Sequence, residues 1–462
     1  MQELNLGYHY PIIYWNTACL IINAGANEEL DDNKSTQYGK IAKAIANFKQ
    51  RSIIVDRPLI NEAKFSFVPD EKNNRIIFSF KGLCGIGDDI ARAIVEHQPY
   101  SSFEDFCKRM VDTKIIGTAK MIILIKAGCF NELDSPDRME TMKKFLSRNV
   151  FTPTDKLTMQ QFNSALEYDI FPKEMETMIR IKNFKAYALH ESFFLKNIID
   201  EGKKVPKKGY HDRYFALDER GTEFLMEHFN TCIVGTKEDG VIISEKLFNK
   251  EWDALIQPLK DYMALPETLQ LYNQKKLDST MESYASGSLE QWDMESLSYY
   301  PDRHELWNLN EPKYGVVDYN SLPEIPEVYD YTTRRVRGEI KHFPKYKIFR
   351  LAGTVLDSDN NKHLVTLLTN HSVVTCKYNK GQYSYYNKRI SEQTPAGKKK
   401  VLEESWFKRG SKIIVCGYRR EDQFVIMKYP DTVYTHTTNR IEEIYNDGTI
   451  LAQTDRKKVG EG

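Results

Sequence analysis

Residues 80–106 read FKGLCGIGDDIARAIVEHQPYSSFEDF. Gly85 and Gly87 flank Ile86 directly before a run in which Ile90, Ala91, Ile94 and Val95 recur at helical spacing. Glycine tolerates positive φ and lets another backbone come close, so the pair predicts a tight turn with Ile86 buried beneath it. Asp88 and Asp89 fall in the first helical turn, where the helix dipole favours carboxylates. Upstream, Ile77, Phe80 and Leu83 offer a short apolar face, and the unit reads as helix, turn, helix. Such a turn directs backbone N–H groups outward, a geometry suited to a phosphate.

The same logic recurs more loosely at 114–130, KIIGTAKMIILIKAGCF, where Gly117 precedes a second amphipathic helix that ends at Gly128. Ser101 with Glu104 forms a capping-box pattern between the two, opening a helix through Met110. Lys81, Gly85, Ile86, Gly87 and Arg92 of the first turn, with Gly117 and Lys120 of the second, are the candidate phosphate contacts. A lone GxG is a weak signal, and a plain αα-hairpin needing glycine only for packing accounts for it equally well. Two such turns in tandem favour a pair of cradles tracking one duplex strand.

Bulk composition limits the alternatives. The 462 residues carry 65 basic and 65 acidic side chains, so any nucleic-acid surface must be local. A hydrophobic content of 41% with 12% aromatic residues indicates globular domains rather than disorder. Seven cysteines lie scattered without a CxxC pair, and the ten histidines form no ligand spacing, so reduced thiols and no structural metal are expected. The N-terminal MQELNLGYHYPIIYWNTACLIINAG lacks the basic region of a signal peptide and is too short and polar-interrupted to span a membrane. It reads as a buried helix that begins almost at Met1, as though inside a domain.

The fold class expected is multidomain α+β. Helices occupy 1–50, the hairpin region 51–135, a mixed helical and α/β stretch 136–345, a small closed barrel 346–435, and a partly charged tail 436–462 whose last residues are mobile. Lys203–Tyr210 reads as a basic loop inside the middle stretch. The barrel rests on five short β-like runs, FRLAGTVLDSD, HLVTLLT, SVVTCKY, KIIVCGYRR and FVIMKY, separated by turn signals as in an OB-fold. Lys377, Tyr378, Lys380, Tyr383, Tyr385, Arg389 and Arg419 of this region are candidate single-strand contacts, with Tyr386, Lys388, Lys398–Lys400 and Arg420 beside them. Bases stack on aromatic rings while cations hold phosphates. The competing reading is that the tyrosines close the barrel and the lysines solvate a loop.

Catalytic chemistry is not evident. Two-metal phosphoryl transfer needs carboxylates that hold ions about 3.5–4 Å apart. The acidic pairs Asp31-Asp32 and Glu403-Glu404 have no strand to present them, and no P-loop, GxSxG or Cys/His pair occurs.

Several stretches resemble the second half of the bacterial replicative DNA polymerase III alpha subunit, the C family. YHYPIIYWNTACL resembles that family's HYP helix late in the fingers, and IIVDRPLINEAKFSF its P-x-I-N-x-S segment. FSFKGLCGIGDDIARAIVEHQPYSSFEDFCKRM is similar to its helix-hairpin-helix region, and IGTAKMIILIKAGCFNEL to the helix after it, nearly collinear over 8–134. Glu295-Ser296-Leu297-Ser298-Tyr299 and His304 echo the family's E-x-L-G-x-Y…H-P, with Ser298 in place of the glycine and Glu305 in place of the proline.

The resemblance implies that the hairpins hold template–primer duplex and that the barrel lies near single-stranded template. It places the catalytic aspartates with their Mg2+ on a separate amino-terminal half, as in a split polymerase, onto which the first helix docks. A phage-encoded split is one source. The resemblance also brings in a sliding clamp as a candidate partner, with Gln270-Leu271-Tyr272 or Gln291-Trp292 as weak contact candidates. DNA, a catalytic half and a cytoplasmic setting without membrane are therefore expected. A stand-alone single-strand-binding or repair accessory, and an interaction protein whose hairpins only pack, are the competing classes.

Overall fold

The computed structural model describes residues 11–26, 35–49, 52–195, 212–237, 240–393, 399–427 and 437–457. The chain forms two compact units, one of residues 1–142 with 287–462 and one of residues 143–286. The boundaries differ from those read in the sequence. The stretch 136–345 is divided, because residues 287–345 fold with the hairpins and the barrel.

The smaller unit carries the expected mixed structure. Tyr214–Ala216, Gly240–Ser244 and Ile233–Lys237 form an antiparallel sheet in that spatial order. Helices Glu176–Ala188, Glu219–His228 and Glu245–Leu255 enclose Phe184, Phe215, Leu225, Phe229 and Phe248 with it. A second, helical core gathers Phe162, Phe171, Leu259, Met263 and Tyr272. The basic loop Lys203–Tyr210 lies outside the described residues.

In the larger unit, helix Ile12–Ala24 buries Ile13, Leu20 and Ala24, while Ile12, Trp15 and Ile22 on its opposite side stand 50–65% exposed. Its C-terminal Gly25 adopts the left-handed conformation that closes a helix. Helix Tyr38–Lys49 follows, and then a three-stranded sheet in the order Ile54–Asp56, Arg75–Ile77, Val68–Asp70. Arg75 ties the sheet by bonding Asp56, Glu62 and Asp70 at 2.6–2.8 Å.

The stretch 78–84 is a series of tight turns rather than the helix expected before Gly85, with Gly82 bonding Ser79 and Leu83 bonding Phe80. Helix α1 (Asp88–Glu96) begins immediately after Gly87. The next helix starts one residue later than the capping box placed it. Ser102 is its N-cap, its side chain accepting from the Asp105 amide, and the helix widens into a π-turn over Cys107–Val111. Helix α2 (Thr118–Lys126) follows Gly117. Phe103, Phe106 and Phe130 meet edge to face beneath these elements, with centroids 5.0–5.1 Å apart.

All five barrel strands form where the sequence placed them: β1 Phe349–Asp359, β2 Leu364–Leu368, β3 Val373–Lys377, β4 Lys412–Arg420 and β5 Gln423–Ile426. β1 pairs with β2, β2 with β3, β3 with β5 in parallel, β5 with β4 and β4 with β1, which closes the barrel in the OB-fold order. Leu351, Val355, Val365, Val374, Trp406 and Phe424 fill it.

The tail is structural from Thr437 through Lys457, and its last residues, expected to be mobile, lie outside the described residues. Thr438–Ile444 pairs with β4, and Ile450–Gln453 pairs with Thr438–Ile444. Arg456 is buried and bonds Glu403 at 2.7 Å, offsetting the cost of burying that carboxylate. Among the described residues no helix is long and apolar enough to cross a membrane.

Candidate nucleic-acid interface

The two glycine turns present the starts of α1 and α2 in the same way. Ile86 and Ile116 are buried at 5% and 1% exposure and anchor the turns. Gly87 and Gly117 then occupy the N-cap positions with φ, ψ of −82°, 165° and −84°, 165°. No side chain caps either helix. The amides of a first helical turn have no intrahelical acceptor, so two sets of donors face outward under the positive end of a helix dipole.

Neither glycine is required by the chain itself. Both φ values suit any residue, and a Cβ added at Gly87 or Gly117 would meet no atom within 4 Å. What the hydrogen side chain preserves is close approach from outside to those amides. Gly85 is different: its φ of +85° favours glycine, and an added Cβ would lie 3.1 Å from Ile123 Cδ1 on α2. Lys120 Nζ also donates to the Gly85 carbonyl, tying the second unit to the first turn.

The turns differ in charge. Asp88 and Asp89 sit in the first turn of α1, whereas the first turn of α2 has no acid. Lys81 is committed to an ion pair with Asp88, and the Arg92 guanidinium lies 4.1 Å from the Phe65 ring centroid. The expected basic surround of the first turn is thus partly used within the chain, and the second turn is the less acidic of the two. Lys114, absent from the sequence-level set, stands exposed beside it with φ of +63°. Its signal was present in the text, three residues before Gly117, where the first turn has Cys84 three residues before Gly87.

Residues 293–299 brace both turns. Asp293, 2% exposed, accepts from Arg57 at 2.6 and 2.9 Å and from Arg138 at 2.5 Å. The Cys84 amide donates to the Ser296 carbonyl at 2.8 Å. The Tyr299 hydroxyl donates to the Val55 carbonyl at 3.1 Å, and its ring stacks on Phe78 with centroids 5.5 Å apart. Ser298, where the resemblance has glycine, adopts φ of +66° and closes helix Leu289–Leu297. A left-handed C-cap is the reason a glycine would suit that position.

The single-strand set on the barrel is corrected in part. Tyr378, Tyr383 and Tyr386 are 1%, 3% and 0% exposed and belong to the barrel core, so their rings are not a stacking platform. Tyr385 is partly buried against the same core. Arg419 lies 4.8 Å from the Tyr319 ring centroid and bonds Leu322, Glu324 and Glu421, a brace rather than an outward contact. Lys377 bonds the Lys362 carbonyl, and Arg389 pairs with Glu404 at 2.9 Å. Lys380 and Lys388 are exposed. Lys398 lies outside the described residues.

Neither clamp-contact candidate is an accessible peptide, since Tyr272 and Trp292 are 3% and 0% exposed on regular helices. Among the described residues no group of three or more His, Cys, Asp or Glu side chains is placed to hold a metal ion.

Comparison with known proteins adds two findings. The helix-hairpin-helix motif family matches residues 52–140, the segment containing both glycine turns. Over 470 aligned positions the chain is 40% identical to a Bacillus subtilis (strain 168) protein named "Probable DNA polymerase YorL". It matches a Bacillus phage SPbeta protein named "DNA-directed DNA polymerase" at the same 40%. Each alignment takes in 99% of this chain and 34% of the relative, so the chain spans about a third of the length of the curated relatives it matches.

Proposed function

We propose that this chain is the DNA-holding part of a C-family replicative DNA polymerase. The carrying observation is the pair of matched N-caps at Gly87 and Gly117, open above and tied together through Lys120 and Gly85. Phosphates of the template–primer duplex bind at these helix starts, the second more strongly, with Lys114 adding charge. The contacts are to backbone phosphates, so binding is independent of sequence.

In this reading the catalytic palm and its Mg2+ are supplied by a separate chain. The exposed Ile12, Trp15 and Ile22 of the first described helix support docking of that partner, because an unpartnered apolar face costs free energy in water. A cytoplasmic setting, in a bacterium or a phage-infected host, follows from the same reading. The barrel's closed strand order is compatible with a place beside single-stranded template, while its buried tyrosines weaken a stand-alone single-strand role.

The test is primer extension by this chain, by a palm-bearing chain and by both, with co-purification of the same samples. Extension that requires both, from a one-to-one complex, supports the reading. DNA binding by this chain with neither complex formation nor any stimulation of extension overturns it in favour of a stand-alone accessory.

A further inference from the structure

Residues 328–346 form a two-stranded ribbon that pairs with no other described strand. Val328–Val336 runs antiparallel to Glu339–Tyr346. Arg337 and Gly338, at φ of +49° and +88°, make the two-residue turn. From 333 to 345 every residue except Val336 is exposed, so neither face of the ribbon packs on the protein. Its base is fixed: the Lys347 amide donates to the Glu327 carbonyl at 2.9 Å, and Tyr346 packs on barrel residue Tyr418 with centroids 4.5 Å apart. Strands of nine and eight residues, at about 3.3 Å per residue, carry the tip roughly 25 Å from that base.

The charge is concentrated at the tip. Nearer the base, Lys345 is paired with Asp330 at 2.6 Å. Lys341 lies 3.7 Å from Glu339. Among the described residues no carboxylate is paired with Arg334, Arg335 or Arg337; Arg335 donates to the Gly338 carbonyl at 3.4 Å. The pairing register puts Arg334 opposite Lys341 and Arg335 opposite Ile340, so the two arginines project from opposite faces, with Arg337 at the turn between them.

We propose that this ribbon is a second DNA contact, its arginine tip entering a groove of duplex DNA. The assignment rests on the DNA-holding reading above. Cations on both faces of a thin arm match a groove, which has a phosphate wall on each side, whereas a single strand lying on one face would leave half of them unused. A two-stranded ribbon is also among the elements that the major groove admits. Lysine and arginine along open strand edges serve to block pairing with another chain. Here Arg334 and Arg335 fall in the last three residues of one open-edged strand and Arg337 in the turn, so these cations gather at the tip rather than spread along the edges.

The test compares the full chain with R334A/R335A/R337N, asparagine being chosen because it tolerates the left-handed turn position. Binding to a 25-base-pair duplex and to a 25-nucleotide single strand is measured against salt, with unfolding midpoints to confirm that the variant is folded. The expected result is a duplex salt slope shallower by about 0.9 per lost phosphate contact, up to roughly 3 in all, with single-strand binding unchanged. A variant that binds duplex with the parent's affinity and slope overturns the ribbon assignment alone. Loss of single-strand binding to the same extent overturns the choice of duplex. A parent chain that binds no DNA overturns the DNA-holding reading, and the ribbon assignment with it.

Discussion

Lys120, on the helix of the second glycine turn, donates a hydrogen bond to the backbone carbonyl of Gly85 in the first. With Ile123 packed against the same glycine, the two turns are held at one spacing. In the DNA-holding reading proposed above, that fixed spacing sets how far apart the two helix starts meet the phosphates of one strand.

Gly85→Ala therefore tests the architecture rather than the DNA contact. An L-residue at φ of +85° costs about 1–2 kcal/mol. The added methyl group must also displace Ile123. The expected outcome is a lower urea midpoint for the transition that includes this region.

Removing Asp293 leaves two buried guanidiniums, Arg57 and Arg138, without their shared carboxylate. Breaking a buried pair of this kind costs about 3–5 kcal/mol. Asp293→Ala is expected to unfold the hairpin region at markedly lower denaturant, measured by hydrogen exchange of α1 and α2 amides.

His304 gives a pH signature. Its Nδ1 accepts from the Leu306 amide at 3.0 Å, so the neutral ring carries its proton on Nε2, which donates to the Leu368 carbonyl. Burial, reinforced by His371, Lys412 and Lys49, lowers its pKa from 6.5 to about 4. The unfolded chain binds the proton first as pH falls, so stability is complete above about pH 6.5 and is lost progressively down to about pH 4. At 1.36 kcal/mol per unit the loss is at most about 3 kcal/mol. His304→Gln is expected to flatten that part of the stability profile, read from thermal midpoints between pH 7 and 4.

The sequence made some of this legible and hid the rest for physical reasons. The barrel strands were readable because alternation along runs such as Val373–Lys377 matches a half-buried pleat. That alternation also held the correction for Tyr378, which shares the inward face of Val374 and Cys376. Tyr383 and Tyr386, three apart on helix Lys380–Asn387, face the same core. The ribbon gave no such signal, because neither of its faces is buried and its turn uses Arg-Gly rather than Asn-Gly. The ties of Asp293 to Arg57 and Arg138 span 236 and 155 residues and follow only from the fold. The turns before Gly85 look helical in their apolar spacing, yet Phe80 and Leu83 are buried by isolated turns instead.

If the open amides after Gly87 and Gly117 hold phosphate, aspartate at these positions should exclude it. Aspartate is a good N-cap whose carboxylate takes up the amides itself, so Gly117→Asp should leave helix α2 as stable or more stable by about a few tenths of a kcal/mol. The measurement is duplex affinity of G87D/G117D against salt concentration, beside its unfolding midpoint. The expected result is a folded protein whose affinity falls at least about tenfold, with a salt slope shallower by roughly 1–2. A folded variant that binds duplex with unchanged affinity and slope would contradict it and leave the glycine turns as packing units.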